Sequence, residues 1–260
     1  PQILVNARMS DRSNKRWSRR SALAQAIFGN LSQVLAQSDV DADRFKHLGA
    51  PHVQAVGNLK MDVGTPQVDP ALLHAFRSMI GPRPTWVAAS THQGEEESVA
   101  EVHCMLKAHI PDLLTVIVPR HPDRVDDIMQ ALSKFDVEIA TRSSGQAILP
   151  TTGLYIGDSI GEMGLYFGLA EVAFMGKSLK SQGGQNPIEP VMANTAILSG
   201  QYVQNFRETY QALLESGGAR LVRDEKMLAG QVLHLLSNPQ ELQSMQAAAH
   251  YTIHQMAGAL

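Results

Sequence analysis

The sequence predicts an α/β chain built on doubly wound parallel sheets, and three observations carry that prediction. Short apolar runs alternate with amphipathic stretches along nearly the whole chain. Several of the apolar runs lead straight into short glycine- or serine-bearing turns, as strands of a parallel sheet lead into helices. The 260 residues are 44% hydrophobic and 18% charged, and a chain of that length buries roughly 70–75% of its extended surface, enough for a core without cross-links.

The expected strands, in order, are Ile3–Val5, Val34–Ala36, Val53–Val56, Trp86–Ala89, Leu114–Val118, Val137–Ile139, Gly153–Ile156, Glu171–Met175, Ala196–Leu198 and Ala219–Val222. They are short, mostly apolar runs, as expected where helices cover a parallel sheet on both faces. Between them, residues 95–109 and 123–134 carry apolar side chains at helical spacing. Residues 224–256 read as two helices separated at Asn238-Pro239.

Gly57, Asn58, Gly64, Pro66 and Pro70 interrupt the pattern and mark a boundary. Upstream there is room for about two strand–helix units, too few for a complete doubly wound domain. The expected division is therefore 1–57 as the tail of an incomplete N-terminal Rossmann-like domain, 58–70 as linker, and 71–260 as a complete C-terminal domain. The chain starts at Pro1 without an initiator methionine or signal-peptide pattern and reads as part of a longer protein.

Composition narrows the function. One cysteine, Cys104, excludes a disulfide framework and a cysteine-built zinc site and points to a reducing compartment. No run approaches the roughly 20 apolar residues of a membrane-spanning helix. A net charge of −3 argues against general nucleic-acid binding. Arg8, Arg12, Lys15, Arg16, Arg19 and Arg20 nevertheless stand against a single acid, Asp11. On one helix, Arg12, Lys15 or Arg16, and Arg19 or Arg20 share a face that suits anionic lipid or a phosphorylated acceptor; a merely solvated helix explains them equally well.

Four loops carry candidate chemistry. Ser90-Thr91-His92-Gln93-Gly94 with three glutamates follows one strand and opens a helix, an arrangement that suits a phosphate or ribose. The plainer alternative makes Ser90 or Thr91 an N-cap and the glutamates dipole complements. Pro119-Arg120-His121-Pro122 presents an arginine able to fork onto a phosphate, or simply a rigid turn. Gly157-Asp158-Ser159-Ile160-Gly161-Glu162 lets backbone approach a ligand closely, or uses Ser159 as a cap. The densest loop runs from Gly176 through Ser178, Gly183, Gly184, Gln185 and Asn186 to Glu189. Its Gly-Lys-Ser is no Walker A loop, because position 171 is Glu171 where that motif needs glycine. Glu189 in the first turn of a helix can accept the two hydroxyls of a ribose. At one sheet edge the four loops imply a nucleotide or sugar-phosphate site, and the absence of Gly-x-Gly-x-x-Gly counts against a dehydrogenase.

In order and spacing, Asn6–Ser10 with Arg12-Ser13, Gly57–Lys60, Ala89–His92 with Gly94–Glu96, Pro119–Pro122, Gly157–Ser159 with Gly161–Met163, and Gly183–Pro190 resemble one family. It is the family of Kdo transferases of lipopolysaccharide biosynthesis (3-deoxy-D-manno-octulosonic acid transferases), and the resemblance runs from about Ile3 to about Arg223. It implies a GT-B glycosyltransferase that moves Kdo from CMP-Kdo to a lipid A precursor, with inversion and without metal or other cofactor. It also implies a setting at the cytoplasmic face of the bacterial inner membrane, peripheral or anchored by a further segment. By that resemblance Ser90, Thr91, Arg120, His121, Ser159, Gly161, Glu162, Gly183, Gly184, Asn186 and Glu189 surround the donor, with Lys60 and Ser178 nearby. Arg8, Arg12, Arg16, Arg19 and Arg20 would face membrane or acceptor.

Two departures stand out. Gln185 occupies a position where many members carry histidine, and Gly200-Gln201 stands where they carry Pro-His; glutamine keeps a hydrogen-bonding side chain but no titratable proton at neutral pH. The family's general base would lie before Pro1, so no catalytic residue is assigned and this chain is expected to bind donor but transfer poorly. Two other readings of the residues are a GT-B enzyme using a UDP-sugar and a non-catalytic nucleotide-binding module.

Overall fold

The computed structural model describes residues 1–57 and 67–256. The chain divides into two compact units, Pro1–Val63 with Ile253–Leu260, and Gly64–Thr252.

The first unit runs β1 (Ile3–Ala7), α1 (Asp11–Ser18), α2 (Ser21–Phe28), β2 (Gln33–Ala36), α3 (Asp39–His47), β3 (Val53–Ala55). Its strands form a parallel sheet in the order β1-β2-β3. Serines start two of the helices: Ser10 Oγ accepts the Ser13 N–H and Ser38 Oγ the Asp41 N–H, relieving amides that the first helical turn leaves unpaired. Phe28 sits edge-on between Trp17 and Phe45, at 5.3 and 5.5 Å, in a core with Ala24, Val34, Ala36 and Leu48.

The second unit continues α4 (Pro70–Ile80), β4 (Thr85–Thr91), α5 (Glu95–Lys107), β5 (Leu114–Pro119), α6 (Val125–Leu132), β6 (Glu138–Thr141), β7 (Thr152–Ile156) and α7 (Met163–Leu169). It ends with β8 (Val172–Met175), α8 (Ile188–Met192), β9 (Ala196–Ser199), α9 (Arg207–Glu215), β10 (Ala219–Leu221), α10 (Glu225–Ser237) and α11 (Pro239–Met256), whose residues from Ile253 onward are counted with the first unit. Seven parallel strands lie in the order β10-β9-β8-β4-β5-β7-β6. Each expected strand forms, and the expected C-terminal pair of helices breaks at Asn238. The stretch expected as a helix over 123–134 begins instead as a 3-10 turn at Pro122–Arg124, where proline cannot supply an amide. Asp69 caps α4 through the Ala71 N–H, with Pro70 at the first helical position, and Asp224 caps α10 through the Met227 N–H.

From β4 the chain moves outward to β5, β6 and β7, then returns to lay β8 against the other side of β4. The winding therefore reverses between β4 and β8, which is where open α/β sheets leave a crevice beyond the strand ends. Trp86, Val116, Ile117, Leu154, Phe174 and Leu198 are buried in the strands that frame it.

A histidine is among the polar groups buried in this unit. His103 on α5 is fully buried; its Nδ1 lies 2.9 Å from Thr115 Oγ1, which accepts the Trp86 indole N–H at 2.7 Å. Its Nε2 has no hydrogen-bond partner among the described residues. Burial, then the charges of Lys107 and Arg83, lower its pKa from 6.5 to about 4. The unfolded chain thus takes up this proton near pH 6.5 while the folded chain refuses it until about pH 4. Stability is complete above the upper value and falls as pH drops through that window, by about 3 kcal/mol. Denaturant unfolding at pH 7 and pH 4.5 is expected to show the loss, and His103→Leu to flatten it; a wild-type profile flat over that range would contradict the neutral buried imidazole.

Candidate functional site

The four loops singled out in the sequence follow β4, β5, β7 and β8, which are consecutive neighbours in the sheet, so all four open at one carboxyl edge. Two of them flank the reversal point. Ser90 at the end of β4 and Lys177 just beyond β8 both have left-handed backbones, with φ of 55° and 56°. For residues bearing a Cβ that conformation costs about 1–2 kcal/mol each, and such strain collects at functional edges. Gly176 lets the two loops meet: a Cβ there would lie 2.5 Å from the Ser90 carbonyl oxygen.

A buried carboxylate fixes the pair. Glu95 is fully buried at the start of α5. Its Oε2 accepts the N–H groups of His92 (3.0 Å) and Lys177 (2.7 Å), and its Oε1 those of Ser178 (3.0 Å) and Leu179 (3.1 Å). Glu96, also buried, accepts the Thr91 hydroxyl at 3.0 Å and Arg124 Nη1 at 3.2 Å. The alternative that made these glutamates simple complements of the helix dipole is thereby corrected, as is the idea that Ser90 or Thr91 caps α5: both lie in β4, and the N-cap is Gly94 in the left-handed region.

Thr91 and Ser178 were expected against the donor. Both are fully buried, and Ser178 Oγ donates to the Met175 carbonyl while accepting the Gly200 N–H at 2.7 Å. Their side chains hold loops in place and do not face the open edge. Arg120 and His121 stand exposed beyond β5, with the Arg120 N–H anchored on the Thr91 carbonyl at 3.0 Å. The His121 ring meets His92 edge-on at 5.8 Å. Burial lowers the His92 pKa, against an opposing hydrogen bond with the Ser90 carbonyl.

After β7, the Glu162 carboxylate receives a two-pronged hydrogen bond from Arg142 Nε and Nη2, both at 2.8 Å, and a short one from Ser159 Oγ. The Arg142 bond is the main reason the Glu162 pKa is lowered. Ser159 does not cap α7; it orients Glu162 instead. Asp158 reaches across to the Ser143 N–H at 2.9 Å, tying this loop to the one after β6. Gly157 faces Tyr166, whose ring a Cβ would meet at 2.6 Å, whereas Gly161, with φ of 86°, has open space around it.

The glycine-rich loop is also pinned. Gly184 donates its N–H to the Lys177 carbonyl and Gly183 offers its carbonyl to the Asn205 N–H, both at 2.7 Å. With φ of 143° and 76°, both positions lie where side chains are strained. Asn186 Oδ1 accepts the Ile188 N–H at 3.1 Å, starting α8, and Glu189 is exposed in the first turn of that helix. Gln185 offers its carbonyl to the Tyr210 hydroxyl at 3.2 Å. Lys60, also expected near the donor, lies outside the described residues, as do positions 58–66 of the expected linker.

In the first unit, the helix expected to carry the basic run ends at Ser18, and Arg20 departs from it with φ −127° and ψ 49°. The idea of one continuous face is corrected for Arg20, because α2 starts afresh at Ser21. Arg8, Arg12, Arg16, Arg19 and Arg20 are all exposed. Among the described residues no three His, Cys, Asp or Glu side chains converge to hold a metal ion, and no helix is long and apolar enough to cross a membrane.

Sequence reasoning missed Arg142, Glu95 as a backbone acceptor, and Lys177 as anything but a failed Walker lysine. The only available signal was an acid directly after the turn glycine Gly94.

Residues 1–63 match the family described as 3-deoxy-D-manno-octulosonic-acid transferase (Kdo transferase). The chain is 32% identical over 256 residues to a 3-deoxy-D-manno-octulosonic acid transferase of Haemophilus influenzae, covering 97% of this chain and 60% of that protein. Against the transferase of Bordetella pertussis the figures are 35% over 265 residues, 100% and 61%. The chain thus spans about three fifths of the length of these relatives. Among solved structures, the C-terminal CMP-Kdo binding domain of WaaA from Acinetobacter baumannii is 27% identical with a TM-score of 0.66, over 71% of this chain and 98% of that one. A UDP-N-acetylglucosamine 2-epimerase from Listeria monocytogenes, at 13% identity and TM-score 0.59, shares the fold. With such neighbours the chain takes the GT-B class of α/β folds, and nearly its whole length is similar in sequence to Kdo transferases.

Proposed function

We propose that this chain is the donor-handling part of a glycosyltransferase that moves Kdo from CMP-Kdo to a lipid A precursor, with residues 71–260 forming the donor domain and 1–57 belonging to an acceptor domain. The observation that carries the reading is the convergence of four pinned loops at the carboxyl edge of β8-β4-β5-β7, with an exposed arginine and an exposed glutamate among them. Arg120 takes the phosphate and Glu189 the ribose hydroxyls; Ser90, His121, Gly161, Gly183, Gly184 and Asn186 shape the surface between. Glu162, held by Arg142 and Ser159, presents a fixed carboxylate on the same edge. No residue of this chain is assigned as general base. The exposed arginines of the first unit face an anionic lipid surface, in keeping with peripheral attachment at the cytoplasmic face of the inner membrane.

Calorimetric titration with CMP, with UDP as control, tests the donor assignment. CMP is expected to bind in preference to UDP, and Arg120→Ala to weaken CMP binding by about 10-fold or more, as loss of a charge-assisted bond requires. Equal affinity for the two nucleotides, or an Arg120→Ala variant that binds as wild type, contradicts it.

A further inference from the structure

Lys177 is the residue at this edge whose presence the fold least explains. Its backbone is left-handed, a conformation that favours glycine, and both its backbone polar groups are fixed, the N–H by Glu95 and the carbonyl by the Gly184 N–H. Its stem lies along Gly183, where an added Cβ would fall 3.2 Å from Lys177 Cε. Several other cations of this unit pair with acids: Arg124 with Glu96, Lys134 with Glu97, Arg142 with Glu162, Lys180 with Glu225. Among the described residues no carboxylate pairs with the Lys177 ammonium. Glu95, which accepts the Lys177 N–H, uses its oxygens on four backbone amides.

A half-buried lysine with its main chain clamped and no paired carboxylate among the described residues is placed to meet an anion from outside the chain. It stands at the reversal point between β4 and β8, and its charge reaches far enough to lower the pKa of His92 on the opposite loop. Exposed Arg120 and His121 lie beyond β5, the next strand after β4. We propose that Lys177 is an anion-binding residue of the donor edge, supplying a second positive contact beside Arg120 to the negatively charged groups of a nucleotide-linked sugar acid. The inference rests on the donor reading above and extends it to a residue that determines preference for anionic sugars.

The phosphate and the sugar carboxylate share the chemistry that Lys177 would recognise, and separate ligands tell them apart. Cytidine carries neither group, CMP the phosphate alone and free Kdo the carboxylate alone. Lys177→Met keeps the stem and removes the charge; Lys177→Gly also releases the left-handed strain; Lys177→Arg keeps the charge. Titrations are expected to show CMP affinity, or the ability of Kdo to compete with CMP, reduced about 10-fold in the Met and Gly variants. Cytidine affinity should be unchanged and the Arg variant close to wild type, with melting temperature unchanged for Met and equal or higher for Gly. A loss with CMP assigns the phosphate, and a loss confined to Kdo competition assigns the carboxylate. Wild-type binding with no effect of Lys177→Met overturns the role of Lys177 alone. A wild type that binds neither CMP nor Kdo overturns the donor reading and this inference together.

Discussion

Glu95→Ala is expected to destabilise the larger unit by about 4 kcal/mol and to abolish nucleotide binding. The fully buried carboxylate accepts four backbone N–H groups, from His92, Lys177, Ser178 and Leu179. Truncation leaves those donors without an acceptor, at about 1–3 kcal/mol for each that water cannot reach. The sum is capped by relaxation, so the expected total stays near the cost of breaking a buried ionic contact. Glu95→Gln keeps one acceptor oxygen but turns an amide N–H₂ toward two N–H groups, and should fall between wild type and alanine. Denaturant unfolding measures the first effect and CMP titration the second. An alanine variant within about 1 kcal/mol of wild type would show that Glu95 does not hold the two loops together.

Gly200→Ala is expected to be nearly as severe, for a steric reason. The added Cβ would fall 2.0 Å from the Ser178 carbonyl oxygen and 2.6 Å from the Leu179 amide nitrogen, both backbone atoms that no side-chain rotation can move. The same shift would break the 2.7 Å bond from the Gly200 N–H to Ser178 Oγ. Overpacking of this kind costs about 3 kcal/mol, or roughly 6–12 °C in melting temperature for a unit of this size. Thermal unfolding reads it directly. The displaced segment runs straight into Lys177 and the glycine loop, so CMP affinity should fall with it. Gly161→Ala is the contrast, because a Cβ there meets nothing within 4 Å and only its φ of 86° is strained.

Much of the fold was legible because a buried parallel strand leaves a plain mark. Trp86–Ala89 and Ala196–Leu198 are unbroken apolar runs in the sequence, Leu114–Val118 is broken only by Thr115, and all three are interior strands in the structure. Proline and capping residues set boundaries visibly, as at Asp69-Pro70 and Asn238-Pro239. The basic run misled because composition says nothing of where a helix stops: α1 ends at Ser18, and Arg20 opens a separate turn. In the loops, residue types showed which segments matter but not which atoms remain available. Thr91 and Ser178 look like ligand hydroxyls in one dimension and prove to be internal hydrogen-bond partners in three.

The sequence by itself determined the class of fold, the strands and the four loops, because periodicity and turn chemistry are local properties of the chain. Its motif order also pointed to the Kdo transferases that the chain proves similar to. The tertiary structure decided which of those loops are neighbours, since strand order is set by packing between segments far apart in the chain: β8 returns beside β4 and brings Lys177 to Glu95, 82 residues away. It likewise decided that Glu95 is a buried acceptor and not a surface charge, and that no carboxylate among the described residues pairs with the Lys177 ammonium. Charge balance at a site depends on every group within hydrogen-bond reach, and that set exists only once the chain has folded.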